Sequence, residues 1–112
     1  MKIKFSATAD VVIRTEAWDE AKACYGSVLG LRVVHESEAC TGFDTGAFRL
    51  YVEPGPRHDP IFEFLVADVQ LAKHQLLAAG CAIIEEDPAI PRCYIRDPYG
   101  VVFNLGKAGT EN

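Results

Sequence analysis

Two stretches of this chain, about fifty residues apart, follow the same pattern, and that repetition limits the possible fold more than any other feature. In the first, Val11-Val12-Ile13 reads as a strand. A helical pattern runs from about Trp18 to Leu29, with Trp18, Ala21, Tyr25, Val28 and Leu29 marking its buried face. Gly30 stops that helix as a left-handed C-terminal cap, and Leu31-Arg32-Val33-Val34 opens the next strand. In the second stretch, residues 61–66 form a strand and Asp68 is an N-cap. Val69, Ala72, Leu76 and Ala79 make the apolar face of a helix that Gly80 ends, and Cys81-Ala82-Ile83-Ile84 is the following strand.

Each repeat closes with a turn and a final strand. Asp44-Thr45-Gly46 leads into residues 47–53, and Asp97-Pro98-Tyr99-Gly100 leads into residues 101–105. Asp, Pro and Gly at the first, second and fourth turn positions favour type I geometry. A proline-rich linker, residues 54–60, separates the repeats. The order β-α-β-β-β, used twice, predicts an α+β domain over residues 1–112, with module one at 1–54 and module two at 55–112. Helices should cover one face of a curved, mainly antiparallel sheet, and the other face should wrap around a cleft.

Composition narrows the function. The chain has 112 residues, 11 basic against 16 acidic, for a net charge of −5. That balance argues against sequence-independent nucleic-acid binding, which needs a phosphate-neutralising surface. No run approaches the roughly 18 apolar residues of a membrane helix. Asp10 interrupts any signal-like apolar segment, so a cytoplasmic protein is expected. Cys24, Cys40, Cys81 and Cys93 form no C-x-x-C pair and read as small buried hydrophobes.

Cys24-Tyr25 followed by Val28-Leu29-Gly30-Leu31-Arg32-Val33-Val34 resembles a motif of the vicinal-oxygen-chelate superfamily, which includes glyoxalase I, bleomycin-resistance proteins and extradiol dioxygenases. Val66-Ala67-Asp68-Val69, Leu77-Ala78-Ala79-Gly80 and Tyr94-Ile95-Arg96-Asp97-Pro98-Tyr99-Gly100 extend the likeness over nearly the whole chain. The resemblance implies the fold. It says little of the chemistry, because one fold hosts many activities.

It also implies where a metal site would lie. The matching positions are Asp10, Ile61, Asn104 and one of Arg49, Leu50 or Tyr51. Isoleucine has no lone pair, arginine is a fixed cation and asparagine is a weak neutral donor, so this set is not expected to hold a divalent ion. His35, His58 and His74 read as solvated residues. No metal and no cofactor are expected.

Strand alternation then assigns the cleft face. With Val11, Ile13, Phe62, Phe64, Phe103 and Leu105 as core, the opposite side carries Asp10, Arg14, Arg49, Tyr51, Glu63 and Asn104 as candidate ligand-binding residues. Trp18 reads as a packing residue near the helix start. Three functions fit: a metal-free small-molecule-binding protein of the bleomycin-resistance kind, a metal-independent isomerase or lyase using Glu63 or Asp10 as base and Arg49 as oxyanion partner, and a metal-dependent enzyme. The first is favoured, with a cationic ligand suited to the acidic chain. The edge strands of such a sheet need cover, which predicts a homodimer.

Overall fold

A computed structural model describes residues 3–90 and 92–109. The protein is α+β. Its elements run β1 (Ser6–Ala7), β2 (Asp10–Thr15), α1 (Trp18–Ala23), a π-helical turn (Cys24–Val28), β3 (Arg32–Glu36), β4 (Thr41–Asp44), β5 (Arg49–Pro54), β6 (His58–Val66), α2 (Val69–Ala78), β7 (Ala82–Asp87), β8 (Arg92–Arg96) and β9 (Val102–Lys107). The chain divides into two compact units. One is Ala9–Ile61; the other joins the N-terminal residues up to Thr8 with the chain from Phe62 onward. The division falls inside β6.

Both units repeat one plan. In Ala9–Ile61 the strands lie in the order β3-β4-β5-β2, with the start of β6 antiparallel to β2. In the other unit the order is β6-β9-β8-β7, and β1 pairs with β6. Each unit has one parallel pair, β2 with β5 and β6 with β9; its other pairs are antiparallel. The outermost strands also match. β3 slips register between Val33 and His35, and β7 slips between Ile83 and Glu85. Such bulges twist an edge and blunt its capacity to pair with another chain.

The punctuation follows the sequence. Gly30 and Gly80 end the helical segments with φ of 71° and 99°, a region that costs a side-chain-bearing residue about 1–2 kcal/mol. Asp68 caps α2, its carboxylate accepting from Leu71 N–H at 3.1 Å. Asp97 accepts from the N–H groups of Tyr99 and Val101, both at 2.9 Å. Asp44 does the same for Gly46 at 2.8 Å, and that bond holds its carboxyl below the usual range.

In the second unit Val66, Ala72, Cys93, Ile95, Phe103 and Leu105 form the buried cluster, flanked by Phe64, Val69, Leu76 and Ile83. Phe64 and Phe103 meet edge to face at 5.0 Å. In the first unit Phe43, Val52 and Ile61 are buried. Trp18 packs as expected, its indole N–H donating to the Val52 carbonyl at 3.1 Å. Lys22 Nζ sits 3.8 Å from the indole centroid.

Four expectations are corrected. Val28 and Leu29 are exposed, at 78% and 58%, instead of lying on the buried helical face. The helix widens after Ala23, and Leu29 N–H donates to the Cys24 carbonyl five residues back, which breaks the 3.6-residue period. Cys24, on the same turn, is exposed; Cys93 is buried, and Cys40 and Cys81 are half-buried. Phe62 is 48% exposed and is not among the residues packed on the core, whose aromatic members are Phe5, Phe64 and Phe103. The linker is also shorter than read, because His58, Asp59 and Pro60 already belong to β6. Pro60 is tolerated there because β2 and β6 shift register beside it.

Candidate functional site

Parallel pairing of β2 with β5 sets Asp10 against Arg49, Val12 against Tyr51 and Arg14 against Glu53. Partners across a ladder point to one side, so these side chains share a face, as alternation predicts. The Arg49 guanidinium donates to Asp10 Oδ1 at 2.6 Å. That bond raises the Arg49 pKa and occupies the carboxylate. Arg14 Nε lies 3.6 Å from Glu53 Oε1, with both side chains mostly buried. Tyr51 lies over Gly42 and beside His35, whose ring centroid is 6.2 Å away. A Cβ at Gly42 would stand 2.6 Å from the Tyr51 ring, so glycine there is what lets the phenol lie flat on β4.

In the second unit, parallel pairing of β6 with β9 sets Glu63 against Asn104. Glu63 accepts from Thr8 Oγ1 at 3.0 Å and from Asn104 Nδ2 at 3.3 Å. Asn104 Oδ1 is itself held by the Cys93 N–H at 2.8 Å, which fixes the amide's orientation. Tyr94 pairs with Asn104 across β8 and β9 and is only 4% exposed. Arg92 lies 5.1 Å from the Tyr94 ring and bonds Glu85 at 3.0 Å.

The six expected residues thus form two clusters. Asp10, Arg14, Arg49 and Tyr51 lie on one face of the first unit, and Glu63 and Asn104 are paired in the second. Sequence reasoning did not bring Arg92, Tyr94, Glu85, Gly42 or Thr8 to these clusters; His35, read as solvated, is exposed beside Tyr51. Alternation along Arg92-Cys93-Tyr94-Ile95-Arg96 could have found the first two, since Cys93 and Ile95 are core. Thr8 gives no sequence signal, because only the pairing of β1 with β6 brings it to Glu63.

The register also corrects the metal-position match. The partner of Asn104 is Glu63, standing as Asp10 stands to Arg49, whereas Ile61 is 3% exposed and pairs with Val12. Counting back from the helix misleads because Asp10 lies eight residues before α1 and Glu63 only six before α2. Even the corrected set is a poor metal site. Asp10 is held by a guanidinium, and the amide oxygen of Asn104 accepts a backbone N–H. Among the described residues, no three His, Cys, Asp or Glu side chains gather as metal ligands. The donors present do not fit a divalent ion.

No family model matches the chain, and no curated protein matches it. Solved structures do. A glyoxalase/bleomycin resistance protein/dioxygenase superfamily member from Vibrio splendidus aligns over 96% of this chain and all of its own, with TM-score 0.63 and 13% identity. A methylmalonyl-CoA epimerase from Streptomyces coelicolor, in complex with 2-nitronate-propionyl-CoA, aligns over 95% of this chain and all of its own, at TM-score 0.56 and 15% identity. The Mn(II)-bound glyoxalase from Novosphingobium aromaticivorans covers 99% of this chain with 44% of its own, at TM-score 0.59 and 17% identity. Identities this low speak for architecture alone. With the twice-used β-α-β-β-β plan and its two parallel strand pairs, they show that this chain has the vicinal-oxygen-chelate fold.

Proposed function

We propose that the protein binds a small organic molecule without a metal ion, and that Glu63 receives a cationic group of that molecule. One observation carries this reading. The two donors that hold Glu63, Thr8 Oγ1 and Asn104 Nδ2, are both neutral, so they orient the carboxylate without cancelling its charge. Asp10, its counterpart in the other repeat, is neutralised by Arg49. A half-buried carboxylate held this way attracts a cation more strongly than one in open water. The net charge of −5 adds long-range attraction of the same sign.

With this reading we take the protein to be cytoplasmic and a homodimer. No helix among the described residues is long and apolar enough to cross a membrane. Exposed Val28, Leu29, Val33 and Val34 supply apolar surface for a second copy.

Calorimetric titration with spermidine and with bleomycin, alongside elemental analysis of the purified protein, tests the proposal. A saturable cationic probe whose affinity falls roughly tenfold in Glu63→Gln, and stays unchanged in Asp10→Asn, is the expected result. One transition-metal ion per chain, lost in Glu63→Gln, would overturn it.

A further inference from the structure

The Ala9–Ile61 unit contains a pocket of about 310 Å³ that lies away from the Asp10–Arg49 pair. Its walls come from Ile13 and Thr15 of β2, Ala21 of α1, Tyr25 of the π-helical turn, and Arg57 and Pro60 around the start of β6. The volume is at the lower end of the range for small-molecule sites. We propose that it is a second ligand site, for a small aromatic anion such as an aryl carboxylate.

The wall is preformed. Tyr25 is the second residue of the π-helical turn, and its ring meets Phe43 edge to face at 5.8 Å. Phe43 is 1% exposed, so the tyrosine rests on a fixed support. Ala21, one turn earlier, is small enough to leave open the space that a larger side chain on α1 would fill. Ile13 and Pro60 add apolar surface. Offset or edge contact with a flat ring is the arrangement Tyr25 favours.

Arg57 and Asp59 both line the mouth, so its loosely held cation sits beside a carboxylate. Arg57 is 83% exposed and lies 3.6 Å from Asp59, itself 84% exposed. A pair so long and so wet contributes little. The guanidinium can therefore turn to a ligand carboxylate, which it binds through two parallel hydrogen bonds. Of the residues expected on the binding face only Arg14 also reaches this pocket, and it is already engaged by Glu53. The site thus differs from the Glu63 cluster in place and in the sign of charge it takes.

Titration of ¹⁵N-labelled protein with benzoate, and with benzylamine as the cationic control, tests the site. Benzoate should shift the amide signals of Ala21, Tyr25 and Arg57 along one saturable curve. Arg57→Ala should weaken that binding by roughly tenfold, and Ala21→Phe should abolish it. Glu63→Gln should leave it unchanged, which separates this site from the one proposed above. Because Ala21→Phe risks misfolding, Ala21→Leu and the solvent-exposed Arg57→Ala carry the test if its spectrum collapses. Equal response to benzylamine, no saturable shift with benzoate, or shifts confined to signals near Asp10 or Glu63 would each overturn the proposal.

Discussion

Asp10 and Arg49 stand directly opposite each other on parallel strands, 2.6 Å apart, and Glu63 and Asn104 hold the same relation in the second repeat. The two repeats share this geometry and differ in its chemistry. One pair is closed by opposite charges, and the other keeps an oriented carboxylate. Removing either member of the Asp10–Arg49 pair exposes the contrast. Arg49→Ala and Asp10→Asn should leave the melting temperature nearly unchanged, since a half-exposed pair adds little. A large loss of thermal stability in either variant would show that the pair is structural.

Thr41 is 1% exposed, and its hydroxyl finds no hydrogen-bond partner among the described residues. Burying an unsatisfied hydroxyl costs about 1–3 kcal/mol. Thr41→Val keeps the shape and the β-branching, so it should stabilise the protein by about 1 kcal/mol. Urea denaturation of the two proteins checks this.

Core and non-core phenylalanines should separate cleanly. Phe103→Ala removes a residue only 5% exposed and should cost about 3–5 kcal/mol. Phe62→Ala, on the neighbouring strand but 48% exposed, should cost about 1 kcal/mol or less. Equal losses in chemical denaturation would mean that Phe62 belongs to the core after all.

Gly42→Ala should be more harmful than an ordinary strand substitution. The new methyl group would stand 2.6 Å from the Tyr51 ring and push it off β4. A cost of about 1–3 kcal/mol follows, the usual scale of overpacking. The displaced ring should also move the His35 signals, because the two rings are neighbours.

Acid should erase part of the stability that the Asp44 turn supplies. Its folded pKa is lowered, chiefly by the Gly46 N–H. The contribution is therefore present above the ordinary carboxyl value of about 3.9 and is lost as pH falls through the lower folded one. Asp44→Asn should trail the wild type in urea midpoint at neutral pH, and the gap should close in acid. A gap that persists at the lowest pH would assign the effect to packing.

Thiol labelling provides a separate check on burial. Desolvation raises the pKa of Cys93 and so disfavours its reactive thiolate. Cys24 is exposed on the π-helical turn. At mildly alkaline pH Cys24 should react first, and Cys93 only at the rate at which the fold opens.

The plan of the molecule was written in local chemistry. Gly30 and Gly80 mark helix ends because only glycine enters their backbone region without penalty, and Asp68, Asp44 and Asp97 mark a cap and two turns because a carboxylate bonds nearby N–H groups. Alternation placed Asp10, Arg14, Arg49 and Tyr51 on one face, since the strand period is two whatever the partner strand. Pairing between strands is a long-range matter. Only the register of β6 with β9 showed that Glu63, not Ile61, answers Asn104. Only the pairing of β1 with β6 brought Thr8 to that carboxylate. Only the hydrogen bond from Leu29 N–H back to the Cys24 carbonyl revealed where the helix widens, which exposed Val28 and Leu29 against their apolar character. Side-chain identity sets what a position can do locally, and the tertiary structure decides which groups stand close enough to act together.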